Sequence, residues 1–236
     1  MPSGTPRATK SSVAAQLVTL IVAAAIVIPA VTPFEAVSGA PWIKILFLSR
    51  MVALVTLAYW MLRRKSLRWS DVGLNRPNGW RFLIALAAGL LMTISFVAAA
   101  QVVIARLGLS APNYSAFAPI RGNFGEYLFW VIPVALGTAA FGEELLFRGF
   151  ITDALRRLFG GSRPSTLLAA TTAQAGLFGI LHFYQGPGGI IVAGVTGLAL
   201  GLTWLIAGRN LWPGIIVHAL LDGSAMTAIY LGYVAT

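Results

Sequence analysis

Cysteine is absent from this 236-residue chain, and acid is scarce, with 7 Asp and Glu against 17 Lys and Arg and only 2 His. Without thiols there can be no disulfide, no cysteine nucleophile and no thiolate metal site, so any metal ligand must be His, Asp or Glu. Charge of both signs is thin: 10% of the residues are charged while 58% are hydrophobic, and the mean hydropathy is +0.81. A water-soluble domain of this length does not need so apolar a composition. The formal net charge of +10 would suggest nucleic acid in a soluble protein. Here the basic residues crowd into the breaks between apolar runs, where lipid head groups and membrane orientation account for them, and no nucleic-acid partner is expected.

What the chain has in abundance is long apolar runs. A bilayer-spanning helix takes about 20 mostly apolar residues. Such runs lie near 13–32, 42–62, 82–105, 126–150, 165–183, 188–208 and 211–232. They predict an all-α fold, a polytopic transmembrane helical bundle of about seven spans, with counts of six and eight left open. The first run is longer than the apolar core of about 7–15 residues in a signal peptide, so a retained span is expected rather than cleavage near Ala40. The second run contains Lys44 and Arg50, which can snorkel or face neighbouring helices. With a cytoplasmic N-terminus, Arg7, Lys10, Arg63, Arg64, Lys65, Arg68, Arg76, Arg81, Arg156, Arg157, Arg163 and Arg209 fall on the cytoplasmic side. Only Arg106 and Arg121 fall opposite, as the positive-inside rule requires. Trp42, Trp60, Trp69, Trp80 and Trp212 sit near the predicted interfaces, and the Gly-rich stretch from Gly186 to Gly201 suits close helix packing.

Both histidines, His182 and His218, fall inside apolar runs, as do Glu143, Glu144, Arg148 and Asp222. Ionisable groups within a span cost about 2.5–3.5 kcal/mol each on insertion scales, so they normally turn inward, pair, and line a functional path. The bland alternative is a buried ion-pair lock between helices. On an α-helix, residues four apart share a face while adjacent residues diverge, so Glu144 pairs with Arg148 and Glu143 points elsewhere with an unpaired carboxylate. Glu143 is thereby the candidate general base. His218 and Asp222 are again four apart and can orient each other or bind one metal. His182 comes from a third helix. Together these are the parts needed to activate water and stabilise an oxyanion.

Phe141-Gly142-Glu143-Glu144-Leu145-Leu146-Phe147-Arg148-Gly149 matches an EExxxR motif, Phe178 to His182 an FxxxH motif, and His218 to Asp222 an HxxxN/D motif. In that order, over roughly 125–230, they resemble the CPBP intramembrane proteases, which include type II CAAX prenyl endopeptidases and bacterial abortive-infection or bacteriocin-immunity proteins. The resemblance implies that Glu143 and His182 activate the attacking water, that His218 and residue 222 stabilise the oxyanion, and that Glu144 and Arg148 support the site. It implies a division into a variable membrane-spanning lead, 1–124, and a catalytic membrane domain, 125–236, packed as one unit. Asp222 departs from relatives with Asn, because an ionised carboxylate only accepts hydrogen bonds. It could be protonated, orient a cationic His218, or join Glu143, His182 and His218 around a divalent metal such as zinc. Metal-free water activation stays open, and the HExxH zinc signature is absent.

His182 lies far along its span while His218 lies near the start of its own, so straight helices would not join them. The expected resolution is a break at Gln185-Gly186-Pro187-Gly188, sunk within protein beside a water-filled cavity. The function this predicts is intramembrane endopeptidase action on a membrane-associated protein or peptide, in a bacterial cell membrane, with a cavity toward the cytoplasmic half. A proton-coupled transporter and a non-catalytic immunity or scaffold protein are the alternatives. Asn113-Tyr114-Ser115 is discounted as a glycosylation site. Arg156 and Arg157, with Asp153, read as a solvated helix end. Arg63, Arg64, Lys65 and Arg68 read as topology determinants rather than a lipid site. No CAAX sequence ends the chain, so its own prenylation is not expected.

Overall fold

The computed structural model describes residues 10–31, 41–77, 79–234 and 236. Arg7 and the stretch around Ala40, which bear on the N-terminal orientation and leader readings, lie outside the described residues. The described residues form helices joined by turns and loops, with no strand: α1 (Lys10–Val31), α2 (Pro41–Arg63), α3 (Gly79–Arg106), α4 (Phe124–Phe129), a π-helical segment (Trp130–Ile151), α5 (Thr152–Leu158), α6 (Pro164–Leu181), α7 (Gly186–Ile206) and α8 (Trp212–Tyr230). Each apolar run of the sequence is therefore helical, with ends moved by a few residues.

Among the described residues, four helices are long and apolar enough to cross a membrane: Trp42–Arg63, Gly79–Arg106, Phe124–Leu158 and Phe183–Ile206. Polar groups dilute α6, with Thr171 and Gln174, and α8, with His218 and Asp222. On α3, Leu83, Leu91, Ile94 and Val102 are exposed. An apolar surface of this extent is what a lipid-facing helix presents.

The rod Phe124–Leu158 is not the plain α-helix that the face argument assumed. Its central segment Trp130–Ile151 is π-helical and contains Pro133. At its end both the amide and the hydroxyl of Thr152 donate to the Phe147 carbonyl, the i→i+5 closure of a wider turn. Such turns are rare and favour functional sites. Its charged residues nonetheless keep the four-residue pairing expected of an α-helix.

Small residues set the helix spacing. A Cβ on Gly179 of α6 would lie 2.7 Å from the Ile190 carbonyl and 3.0 Å from the Gly194 Cα of α7. Gly197 and Gly201 of α7 in turn receive Phe178 and Thr171 of α6. This is close packing by small residues, where lipid offers no hydrophobic drive for helix association. α3 covers α7 and α8, while the π segment lies between α2 and α8.

The two ends of the bundle differ. At one end the breaks meet: Leu211 N–H donates to the Gly73 carbonyl at 2.9 Å, and Asn210 Nδ2 donates to the carbonyls of Asn75 and Arg76 at 3.2 and 3.0 Å. Gly73 has φ +118°, and a Cβ there would stand 2.6 Å from the Arg209 carbonyl. Asp153, buried, pairs with Arg156 and with Arg157 Nε. That corrects the reading of this segment as a merely solvated helix end, because the carboxylate is packed inward and holds both guanidinium groups. At the other end Asn113 N–H donates to the Gln185 carbonyl at 3.0 Å and Gly122 N–H to the Tyr230 carbonyl at 3.1 Å. In α2, Lys44 pairs with Glu126 at 2.6 Å, so it is tied to a neighbouring helix rather than left to snorkel.

Because the Gly179 contact is backbone against backbone, no side chain can swing away to make room. Gly179→Ala is expected to separate α6 from α7 at a cost of about 1–3 kcal/mol. Thermal unfolding of the purified protein in detergent checks this, and an unchanged midpoint would contradict it.

Candidate active site

The π segment supplies three of the sequence-predicted site residues. Arg148 Nη1 donates to Glu144 Oε1 at 2.7 Å, with both side chains 0% exposed. Arg148 Nη2 donates to the Gly197 carbonyl at 3.0 Å, which also accepts from Gln174 Nε2 at 3.0 Å. The guanidinium stacks over the Phe178 ring at 4.7 Å. Two fully buried charges need such pairing, since desolvation otherwise outweighs their attraction, and here Glu144 Oε2 and Arg148 Nε stay buried without a hydrogen-bond partner.

Glu144 has a second role that the sequence did not reveal. Its Oε1 also lies 3.1 Å from His218 Nδ1. α8 can come this near because residue 214 is glycine, where a Cβ would sit 2.9 Å from Glu144 Oε2. Glu144 thus ties the π segment, through Arg148, to α7 and holds the His218 ring of α8 by one nitrogen.

The other nitrogen, His218 Nε2, stands 3.4 Å from Asp222 Oδ2 and 3.9 Å from Glu143 Oε2. Glu143 is 20% exposed, in contrast to the wholly sealed Glu144. The adjacent glutamates have diverged, one into the protein and one toward open space.

His182 caps the end of α6. Its Nδ1 is 2.7 Å from the Phe178 carbonyl; a carbonyl can only accept, so Nδ1 carries the proton and a neutral ring leaves Nε2 as an acceptor. Phe178 fills the space between the two histidines, its ring 4.6 Å from that of His182 and 6.1 Å from that of His218. The break that follows is half-buried at Gln185, and a Cβ on Gly188 would lie 2.4 Å from the Ser110 carbonyl. The 107–113 loop therefore covers it, as the sunken-break expectation required.

Glu143, His182, His218 and Asp222 line one cavity of about 350 Å³. Its remaining wall is mostly apolar and includes Phe47, Phe117, Trp130, Met226 and Ile229. Glu144 and Arg148 lie behind this wall. Arg50, Tyr184 and Gln185 also line the cavity. Sequence reading noticed Arg50 only as a charge inside a span and did not place Tyr184 in the site. For Arg50 the signal was present, since an ionisable residue within a span is by default functional; Tyr184 falls between two predicted spans and carries no such mark.

Tyr114, Phe117, Gln185 and Val234 place the cavity toward the end of the bundle formed by the 107–123 loop and the chain after α8. The breaks rich in Lys and Arg gather at the other end. The cavity and those breaks therefore lie at opposite ends of the bundle, whereas the sequence expectation placed both on the cytoplasmic side.

The donor types present suit a divalent ion, but their placement does not. Among the described residues no three His, Asp or Glu side chains form a group that could hold a metal. Both His218 nitrogens face carboxylates, and His182 Nδ1 is engaged by a carbonyl.

Residues 125–224 match the family model described as type II CAAX prenyl endopeptidase Rce1-like. All six sequence-predicted site residues lie inside that match. No curated protein and no solved structure matches the chain.

Removing Arg148 strands a sealed carboxylate. Arg148→Met is expected to lose about 3–5 kcal/mol of stability, while Glu144→Gln combined with Arg148→Met recovers part of it. Denaturant unfolding of the two variants checks the order; a double variant less stable than the single one would contradict it.

Proposed function

We propose that this chain, a member of the Rce1-like CAAX protease family through residues 125–224, is an intramembrane endopeptidase that hydrolyses a peptide bond of a membrane-associated protein or peptide. The observation that carries the reading is the convergence of Glu143, His182 and His218 from three helices on one cavity, with Glu143 rather than Glu144 reaching it. Glu143 takes a proton from a water that His182 Nε2 helps to orient. The resulting hydroxide oxygen bonds to the scissile carbonyl carbon, and the carbonyl π pair moves to its oxygen. When the tetrahedral intermediate collapses, the carbon–nitrogen bond breaks and Glu143 returns its proton to the departing amine. His218, fixed by Glu144, supplies positive character beside the reacting carbonyl, and Asp222 orients that ring from the other side.

The apolar stretch of the cavity favours an apolar segment of substrate next to the cut. A count of seven spans, a cytoplasmic N-terminus, a bacterial cell membrane and the division at residue 124 belong to the same reading. Under that orientation substrate enters from the half of the membrane opposite the basic breaks. Zinc or another divalent ion held by Glu143, His182, His218 and Asp222 would need those side chains to close up. No step above depends on it.

Glu143→Ala is expected to abolish cleavage, with thermal stability near that of the wild type. Cleavage of membrane-proteome peptides by the purified protein, followed by mass spectrometry, checks this. Loss of folding would instead favour a structural lock, and retained cleavage would remove Glu143 as the base. For the metal, elemental analysis joined to Asp222→Asn decides: full activity in the Asn variant with no bound metal rules out ligation by Asp222.

A further inference from the structure

Resting on the endopeptidase reading, the inventory of hydrogen-bond donors in the cavity leaves one part of the reaction unassigned. The oxyanion of a tetrahedral intermediate needs N–H or O–H groups aimed at it. Glu143 and an ionised Asp222 can only accept. His182 Nδ1 is turned to the Phe178 carbonyl. His218 has one nitrogen on Glu144 and the other beside Asp222 and Glu143, so its protons are drawn toward carboxylates. Asp222 stands where relatives with Asn would have an amide donor, so the motif residues offer the oxyanion the positive character of His218 and no second donor.

Among the other donors on the cavity wall are the Arg50 guanidinium, the one Lys or Arg side chain among its described lining residues, and the Tyr184 phenol, two residues after His182. We propose that Arg50 and Tyr184 are the oxyanion donors of this protein, so that a residue from outside the family-matched segment completes the active site.

The packing supports both placements. The Arg50 guanidinium lies 3.7 Å over the Phe47 ring, and buried Phe47 meets the Trp130 ring edge-on at 5.6 Å. A planar guanidinium stacked in this way keeps its fork of donors pre-organised. α2 reaches the site because Gly142, next to Glu143, leaves room for Met51; a Cβ there would stand 2.6 Å from Met51 Cγ. Tyr184 follows His182 in the short turn before α7, with ring centroids 5.9 Å apart. Its oxygen accepts from Gln185 Nε2 at 3.1 Å, and its own O–H is a donor. A permanently charged donor beside mostly apolar walls offers strong stabilisation of developing negative charge. In the step described above, the electron pair leaving the carbonyl π bond resides on oxygen against Arg50 and Tyr184, and returns to carbon as the amine departs.

The test uses the full-length protein in liposomes with a fluorogenic membrane peptide that the wild type cleaves, and a phosphinate analogue of that peptide as the anionic tetrahedral mimic. Arg50→Met and Tyr184→Phe are each expected to lower kcat about 100- to 1000-fold with little change in KM. Arg50→Met is expected to lose affinity for the phosphinate far more than for the peptide, and Arg50→Lys to retain part of both. Glu143→Ala is the reference. If it is inactive while Arg50→Met and Tyr184→Phe keep wild-type kcat, the donor assignment is overturned and the endopeptidase reading stands. A shifted pH optimum with unchanged phosphinate affinity overturns it too, because Arg50 would then act through Glu143. A wild type that cleaves nothing removes the endopeptidase reading itself. Should Arg50→Met fail to fold, Arg50→Lys and Tyr184→Phe carry the same comparison.

Discussion

The sealed contact of Glu144 with Arg148 and His218 is the constraint on which the rest of the site depends. One carboxylate oxygen serves both partners, at 2.7 and 3.1 Å. Through them it joins the π segment to α8 directly and to α7 by way of the Gly197 carbonyl. Breaking either link would leave a charge in a place with no water to take over, so the arrangement has little freedom to drift. That rigidity fixes the His218 ring, and with it the positions of Asp222 and Glu143 relative to each other. A hydrolytic site needs its groups pre-organised, and here an internal ion pair accomplishes this without touching the reacting atoms.

Close approach of the helices is the second requirement, and glycine meets it at each point of contact. Gly214 admits the Glu144 carboxylate, Gly142 admits Met51, and Gly179 meets α7 backbone to backbone. Gly214 thereby lets α8 bring His218 against Glu144, and Gly142 lets α2 dock beside Glu143. The cost of placing Glu, His and Asp within an apolar bundle is met by mutual pairing and by a cavity in which their outer atoms are solvated. Protein covers the break between α6 and α7, so its backbone groups find partners there rather than in lipid.

Much of this was legible in the sequence. The four-residue spacing foretold the Glu144–Arg148 pair, and the divergence of neighbouring residues foretold that Glu143 would face elsewhere. The apolar runs marked the helices to within a few residues. Other features could not be read. The contact between Glu144 and His218 spans 74 residues of sequence, and no local spacing encodes it. The wide turns of the π segment leave no periodic mark that separates them from an α-helix. Asp153 looked like part of a solvated helix end because its burial comes from the packing of α5 against other elements. Arg50 announced itself as a charge within a span, but its place on the cavity wall depends on how α2 docks.

The sealed clamp leaves Glu143 facing a hollow that water enters, with helices around it that otherwise exclude water. The absence of native cysteine makes this directly measurable by single-cysteine labelling in native membranes. Ala139 and Ala225 line the cavity, whereas Leu91 projects from the apolar face of α3. With a small, charged, membrane-impermeant thiol reagent, Ala139→Cys and Ala225→Cys are predicted to label and Leu91→Cys to stay unmodified. Labelling of none of the three, or of Leu91→Cys alone, would contradict the account.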